Sequence, residues 1–193
     1  DEIWVNMTRV SGVDATDPVS YTKGEHDARK QMYDVMAYLK DFVPGFEGSW
    51  LERSAAFMGI RETRVIVGKY VMTAQDILEQ KRFADAIAVA GYPVDIHHAQ
   101  GGDCTMLFCE DAYQIPYGVL VPQTIEGLLV AGRCSAMDHE AMAATRVMST
   151  CMALGEAAGT AARIAIADNV EVSAVDVTKV QKALLENDAY LAL

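Results

Sequence analysis

Residues 133–146 bring together several side chains that could take part in chemistry. Arg133, Asp138, His139, Glu140 and Arg146 all lie in this polar segment. A guanidinium group can orient a carboxylate, and an imidazole changes its charge near neutral pH. The residue types in this segment are therefore suited to holding a small polar molecule and moving a proton.

The elements on either side of this segment predict where it lies in the fold. The run LLVAG, residues 128–132, is continuously apolar and favours a strand buried on both faces. Ligands of open α/β sheets bind beyond the carboxyl ends of the strands. A helix is predicted to run to about Ala167, with its body from Cys151 and its first turn near Ser149 or Thr150. The free amides and the positive dipole end at the start of this helix suit an anionic or electron-rich group.

The predicted helix has an unusually small side-chain face, with Gly155 and Gly159 four residues apart. Glycine costs about 1 kcal/mol relative to alanine inside a helix. Its presence indicates close packing against this face, either by sheet backbone or by a flat ligand. The helix alone favours packing without a ligand, whereas the adjoining polar segment favours a ligand.

These residues carry a family resemblance. The stretch LLVAGRCSAMDHEAMAATRVMSTCMALGEAAGTAA, residues 128–162, resembles the C-terminal signature of FAD-dependent oxidoreductases related to the fumarate reductase and succinate dehydrogenase flavoproteins. The stretches GIRETRVIVGKYVMTAQDI, YPVDIH and IPYGVLVP resemble upstream parts of the same family, in the same order. The resemblance therefore covers nearly the whole chain.

The resemblance implies an α+β fold in two parts. Residues 1–117 would form part of a substrate domain of mixed strands and helices, and residues 118–193 the C-terminal strand and helix of a Rossmann-like FAD-binding domain. The implied cofactor is FAD, with the loop and the helix N-terminus against its isoalloxazine ring. The residues expected to contact the flavin are Gly132, Arg133, Val147, Met148, Thr150 and Cys151.

Arg146 and His139 are the candidate catalytic residues. Arg146 resembles the substrate-facing arginine of fumarate reductase-type motifs, although a structural arginine paired with a carboxylate is the alternative. His139 could act as an acid or base, contact the flavin, or stabilise its loop. Weaker candidates for binding a small-molecule substrate are Arg61, Glu62, Arg64 and His97.

Three departures from the family pattern change what is expected of the chain. Arg133 stands where many flavoproteins carry an acidic residue, and Ser149 stands where close relatives are expected to carry proline. The sequence contains no G-x-G-x-x-G motif, which normally holds the ADP half of the cofactor. We therefore expect a C-terminal fragment that needs a preceding FAD-domain segment as its partner, binds FAD weakly or not at all alone, and is inactive alone. A non-catalytic interaction or assembly module is the alternative, and self-association into a homo-oligomer stays open.

Composition excludes several other classes of function. Sixteen basic and 27 acidic residues give a net charge of −11, which argues against nucleic acids and anionic membranes as partners. The sequence has no apolar run of the roughly 18 residues that a membrane-spanning helix needs, and we expect a cytoplasmic protein. The four cysteines form no C-x-x-C pair, and Asp95, His97 and His98 lack a second cluster of ligands, so no metal site is expected.

Alternation and capping patterns predict the remaining elements. A Thr22–Glu25 capping box should start a helix that ends near Phe42, and Thr73 should cap a helix of about 14 residues that ends at Gly91. Strands are predicted over residues 2–10, 64–72 and 115–122, shorter extended pieces over 92–102 and 104–109, and a last helix over 176–185.

Overall fold

The computed structural model describes residues 2–97 and 104–192, apart from the side chains of His97 and Cys104. The chain divides into two compact units, Asp1–Thr63 and Arg64–Leu193. This division differs from the predicted domain boundary at 117/118. That boundary concerns the substrate and FAD-binding domains of a whole enzyme, and it stays a prediction.

The first unit is built around helix α1, Pro18–Phe42. The carboxylate of Asp17 accepts hydrogen bonds from the amides of Val19 and Ser20, and Pro18 occupies the first turn. Both features are typical of helix starts. The predicted capping box at Thr22 is therefore wrong, because Thr22 already lies inside the helix and its hydroxyl donates to the carbonyl of Pro18 at 2.8 Å.

The rest of the first unit wraps the helix with irregular backbone. Gly24 allows close approach, since a Cβ at this position would lie 2.8 Å from the Val13 side chain. The carboxylate of Glu25 accepts hydrogen bonds from the Met58 amide and from the Tyr21 hydroxyl. Residues 2–10, predicted as a strand, pair with no described strand, and most of their side chains are exposed.

The second unit begins with extended backbone and a short helix, α2, Ala74–Leu78. The hydroxyl of Thr73 accepts from the Asp76 amide, and the carboxylate of Asp76 accepts from the Thr73 amide, so the predicted cap at Thr73 is confirmed. The predicted length of this helix is wrong. Gln80 adopts a φ of 51°, a left-handed conformation that ends the helix after little more than one turn.

Two small antiparallel sheets follow. Strand β1, Ala86–Ala90, pairs with β4, Tyr113–Pro116, with a bulge between Ala86 and Ala88. Strand β2, Val94–His97, pairs with β3, Cys104–Leu107. The strand predicted over 115–122 is only partly correct, because residues Tyr117–Leu120 form a 3₁₀ turn. The extended piece predicted over 92–102 lies outside the described residues from position 98 onward.

Three helices complete the second unit: α3, His139–Thr145; α4, Met148–Asp168; and α5, Val177–Glu186. A 3₁₀ turn, Val172–Ala174, joins the last two. α4 and α5 match the predicted helices to within a few residues. α4 ends at Asn169, whose φ of 53° gives a left-handed C-cap.

The main hydrophobic core lies in the second unit, between α4, α5, β1 and β4. Its fully buried members include Ile87, Ile115, Leu154, Leu184 and Leu191. Helices and small antiparallel sheets that share one core confirm the predicted α+β class. In the described part of the chain, no helix has the length and apolarity needed to cross a membrane.

Candidate functional site

The apolar run 128–132 approaches the core without forming the predicted strand. No described strand pairs with it, although the Val130 amide donates to the Leu120 carbonyl at 2.9 Å. A buried parallel strand forms backbone hydrogen bonds with a neighbouring strand on each side. Among the described residues, the bond from Val130 to Leu120 is the one backbone bond of this kind that the run makes. The side chains of the run are half-buried or exposed.

Gly132 makes the turn that leads into the polar segment. Its φ of 79° lies in the left-handed region, which glycine adopts without strain. The turn is closed by the Ser135 amide, which donates to the Gly132 carbonyl at 3.1 Å, and the buried Ser135 hydroxyl donates to the Val130 carbonyl. The chain therefore reverses at the glycine where the sequence predicts the ligand-facing loop to begin.

Residues 134–138 are fixed by backbone hydrogen bonds to residues 66–72. The Ile66 amide donates to the Cys134 carbonyl at 3.0 Å, and the Met72 amide donates to the Ala136 carbonyl at 3.0 Å. In return the Asp138 amide donates to the Met72 carbonyl at 2.9 Å. The segment predicted as a strand over 64–72 is thus extended backbone without a strand partner among the described residues. It forms isolated bridges from Gly68 to Pro122 and from Met72 to Met137, both of which lie in loops.

The second half of the polar segment is a helix and not the predicted loop. The carboxylate of Asp138 caps α3 by accepting from the Ala141 amide at 2.7 Å, and it also accepts from the Ala74 amide at 3.3 Å. A single side chain thus ties the beginnings of α2 and α3 together. His139 and Glu140 lie in the exposed first turn, whereas residues 141–145 are buried.

Arg146 ends α3, and its side chain reaches strand β2. One guanidinium nitrogen, Nη2, donates to the backbone carbonyl of Asp95 at 3.0 Å. Arg146 is therefore half-buried and held on protein backbone through at least one of its donors. Its predicted role toward a substrate stays a prediction.

The N-terminus of α4 has no side-chain cap. Val147 is the N-cap residue, and its side chain has no oxygen or nitrogen with which to bond the first amides of the helix. Met148 and Ser149 are exposed, whereas Thr150 is buried. The residues at the positive end of this 21-residue helix therefore lie partly at the surface.

Gly132 lies directly against this helix N-terminus. A Cβ placed on Gly132 would lie 3.8 Å from both the Cβ and the Sγ of Cys151. The structure therefore brings Gly132 and Cys151 into contact beside Val147 and Met148, although they are 19 positions apart in sequence. These residues form what we call the Gly132–α4 corner.

Cys151 is not an activated thiol. Burial raises the pKa of its thiol, and the nearby Arg133 guanidinium lowers it by less. The Sγ atom lies 3.4 Å from the Arg146 carbonyl and 3.8 Å from the Thr145 carbonyl, either of which can accept its proton. A reactive thiol needs a lowered pKa, and here burial shifts the pKa the other way.

The small face of α4 is open in this structure. A Cβ at Gly155 or at Gly159 would meet no atom within 4 Å, and both glycines are exposed. The close helix–sheet contact expected from their spacing is therefore not made by the described residues. Met148, Met152 and Ile166 are exposed on the same helix.

The weaker substrate candidates are divided between the two compact units, and their role stays a prediction. Arg61 and Glu62 belong to the first unit, and Arg64 and His97 belong to the second. The backbone of His97 lies in β2, and its side chain is outside the described atoms. Across residues 2–97 and 104–192, no three histidine, cysteine, aspartate or glutamate side chains are grouped as a metal site requires.

A comparison with protein families decides the class of the chain. A model of the family described as FAD dependent oxidoreductase matches residues 2–184. The chain belongs to this family. The match spans both compact units, so residues 2–63 belong to the family's sequence as much as the Gly132–α4 corner does. No curated protein and no solved structure matches the chain significantly.

The contacts that Tyr113 and Asp95 make with the link between α3 and α4, from β4 and from β2, could not be predicted from the sequence. Asp95 is considered there only as a metal ligand, and Tyr113 is not singled out. Tyr113 lies 31 residues from its partner Ala144. The available signal was weak: a lone aromatic hydroxyl before a short apolar stretch, which needs a buried hydrogen-bond partner.

Proposed function

We propose that the Gly132–α4 corner contacts the isoalloxazine ring of FAD in a flavin-dependent oxidoreductase. The observation that carries this proposal is the uncapped N-terminus of α4 beside a left-handed glycine. The exposed amides of a helix N-terminus attract negative charge. Gly132 keeps the neighbouring space free of a side chain, so a flat group can approach the backbone closely. These features fit a flavin.

When bound, the flavin supplies hydride or electron transfer to or from a small organic substrate. The amides of α4 would stabilise negative charge on the N1/O2 side of the reduced ring and so favour reduction. Arg133 adds a positive charge near the same corner, where it influences the Cys151 thiol. Gly132, Val147, Met148, Thr150 and Cys151 complete the proposed contact set.

Arg146 and His139 are proposed to act on the substrate. Arg146 would orient a substrate carboxylate through its guanidinium, one nitrogen of which donates to the Asp95 carbonyl. The imidazole of His139, exposed at the start of α3, would transfer a proton. Arg61, Glu62, Arg64 and His97 remain weaker proposals for binding the rest of the substrate.

The finer family placement is also a proposal. The signature at residues 128–162 supports a relation to the fumarate reductase and succinate dehydrogenase flavoproteins, with residues 118–193 as the C-terminal part of the FAD-binding domain. The ADP half of FAD would then be held by a preceding FAD-domain segment. A non-catalytic assembly module is the competing function, and the following experiment distinguishes the two.

The experiment is a set of flavin titrations on the purified chain, followed by quenching of flavin fluorescence. If the chain holds only the isoalloxazine end, then FAD and riboflavin should bind with similar affinity, weaker than micromolar, and excess ADP should not compete. Competition by ADP would contradict the half-site. Absence of riboflavin binding up to its solubility limit would contradict the proposed flavin contact and favour the assembly module.

A matched pair of variants locates the contact. Met148 and Ile166 are apolar, exposed by 83% and 82%, and lie at opposite ends of α4. Met148→Ala should weaken riboflavin binding by about threefold or more, as expected for lost packing against one face of a ring, whereas Ile166→Ala should leave it unchanged. Equal effects of the two substitutions would show that the ring binds elsewhere.

A further inference from the structure

The last turn of α3 and its link to α4, residues 144–147, are tied to neighbouring elements by two side chains. Tyr113 of β4 can donate its hydroxyl proton to the Ala144 carbonyl, and Arg146 donates to the Asp95 carbonyl of β2. The competing acceptor of the Tyr113 proton is the Tyr92 carbonyl, which precedes β2. Since α4 begins at Met148, the direction of its first turn depends on how this link is held.

Tyr113 is the buried member of the pair, with 1% of its surface exposed. Its hydroxyl oxygen lies 3.2 Å from the Tyr92 carbonyl oxygen and 3.3 Å from the Ala144 carbonyl oxygen. Its single proton can be donated to either acceptor. The Ala144 carbonyl is in the last turn of α3, where intrahelical donors run out.

Burial keeps this hydroxyl a donor. Removal from water raises the pKa of Tyr113 well above its ordinary value of 10, and the nearby Cys109 raises it further. The phenol therefore stays protonated throughout the range in which the protein can be studied. The strength of the tie should not depend on pH.

The link also touches the Gly132–α4 corner directly. The Sγ atom of Cys151 donates to the Arg146 carbonyl at 3.4 Å, and Cys151 in turn lies against Gly132. A shift of residues 144–146 would therefore move the acceptor of Cys151 and the first turn of α4 together. Close-packed elements transmit such small displacements.

We propose that Tyr113 is a positioning residue of the flavin site. Its hydroxyl bond to the Ala144 carbonyl fixes the α3–α4 link against β4, and this contact sets the direction in which the first amides of α4 face the flavin. This inference rests on the proposed function for its ligand, but the positioning itself can be tested without any ligand.

The test compares Tyr113→Phe with Tyr117→Phe by hydrogen exchange in the full chain. Tyr117 is the matched control, because it is also buried and its hydroxyl donates to the Val172 carbonyl at 2.7 Å, away from the α3–α4 link. The reporters are the amides of Arg146 and Cys151, which donate to the Met142 and Val147 carbonyls. Each variant removes one oxygen atom and keeps the aromatic ring.

In Tyr113→Phe both reporter amides should exchange about five- to tenfold faster, as expected when one buried hydrogen bond that restrains local opening is lost. In Tyr117→Phe they should stay within about twofold of the unsubstituted chain after correction for global stability. Equal acceleration in both variants, or none in either, would overturn the proposal. If Tyr113→Phe does not fold, Arg146→Gln removes the second tie and should accelerate the same amides; unchanged exchange there would also overturn it.

A riboflavin titration separates this inference from the proposed function. Tyr113→Phe should weaken binding by about threefold more than Tyr117→Phe does, in line with misdirected amides. Faster exchange with unchanged riboflavin affinity would show that Tyr113 is structural only. Faster exchange in a chain that binds no riboflavin at all would contradict the proposed function. In that case the positioning role of Tyr113 would stand, but its link to a flavin would be lost.

Discussion

The carboxylate of Asp76 joins the start of α2 to the lysine that follows the helix. Its Oδ2 accepts from the Tyr70 hydroxyl at 2.8 Å and from the Thr73 amide at 3.0 Å, and its Oδ1 accepts from Lys81 Nζ at 2.9 Å. The Lys81 ammonium also lies 5.1 Å from the Tyr70 ring centre and 5.2 Å from that of Phe83. Tyr70, Thr73 and Lys81 thus stabilise one buried carboxylate.

This network should make stability depend on pH. Burial alone would raise the pKa of Asp76, but the bonds from Thr73, Lys81 and Tyr70 outweigh burial and hold it below its ordinary value of 3.8. The unfolded chain therefore takes up this proton first as pH falls, so the stabilisation is present above about pH 4 and is lost below it. Asp76→Asn should lower the free energy of unfolding at pH 7 by about 1–3 kcal/mol.

Urea unfolding at pH 7 and at pH 3 measures the difference between Asp76→Asn and the unsubstituted chain. The difference should shrink at pH 3. Glu126→Gln, at an exposed position, is the control and should change stability little at either pH. A difference that grew toward low pH would show that the charge on Asp76 opposes folding.

Gly68 shows how closely the extended segment 66–72 approaches residues 134–138. A Cβ at this position would lie 2.4 Å from the Cβ of Ala136 and 2.9 Å from the Tyr70 carbonyl oxygen. Gly68→Ala should therefore destabilise the chain by about 1–3 kcal/mol through overpacking. Gly91→Ala, where a Cβ meets nothing within 4 Å, is the control; equal thermal shifts in the two variants would contradict this account.

At the scale of elements, local chemistry predicted helices better than strands. The cap at Thr73 and the helices α4 and α5 follow from short-range patterns in the sequence, and the structure has them. The segment after Leu78 illustrates the failure. Residues 86–90, AIAVA, are small and apolar enough for either a helix or a strand, and pairing with β4, more than 20 residues away, selects the strand.

The candidate site could be predicted only in part. Gly132 and the start of α4 carry a recognisable local sequence, but the polar residues of segment 133–146 predict a loop where the structure has α3. The ties from Tyr113 and Asp95 could not be predicted, since they join residues 31 and 51 positions apart that share no motif. Local patterns indicate what a segment is, and the residues that hold it in place come from elsewhere in the chain.

The open face of α4 leads to a prediction about helix stability. Gly155 and Gly159 meet no neighbouring atom, so alanine should fit at either position. Each of Gly155→Ala and Gly159→Ala should raise the free energy of unfolding by about 0.5–1 kcal/mol, since alanine restricts the unfolded chain and favours the helix. Thermal unfolding of both single variants and the double variant checks this.

The two glycine substitutions should add, because no shared neighbour couples them. A loss of stability in either variant would indicate that some part of the protein in solution does pack against this face. Weaker riboflavin binding together with raised stability would instead indicate that the ligand contacts this glycine face of α4.

At the scale of the whole molecule, the C-terminal residues close the core of the second unit. Leu191 is 1% exposed, and the Gln114 side chain donates to its carbonyl at 3.0 Å. Leu191→Ala should cost about 2–5 kcal/mol in urea unfolding, the usual range for a buried leucine. Tyr190→Ala is the adjacent control, since Tyr190 is 74% exposed and should matter little; the reverse order would place Leu191 outside the core.

At Val147, selection for stability and selection for the proposed flavin contact favour different residues. A serine or aspartate at this N-cap would bond the first amides of α4 and typically adds about 1 kcal/mol of stability. The same oxygen would occupy the donors that the proposed flavin contact requires. Laboratory evolution for heat resistance should therefore replace Val147 readily, whereas evolution for turnover should retain it.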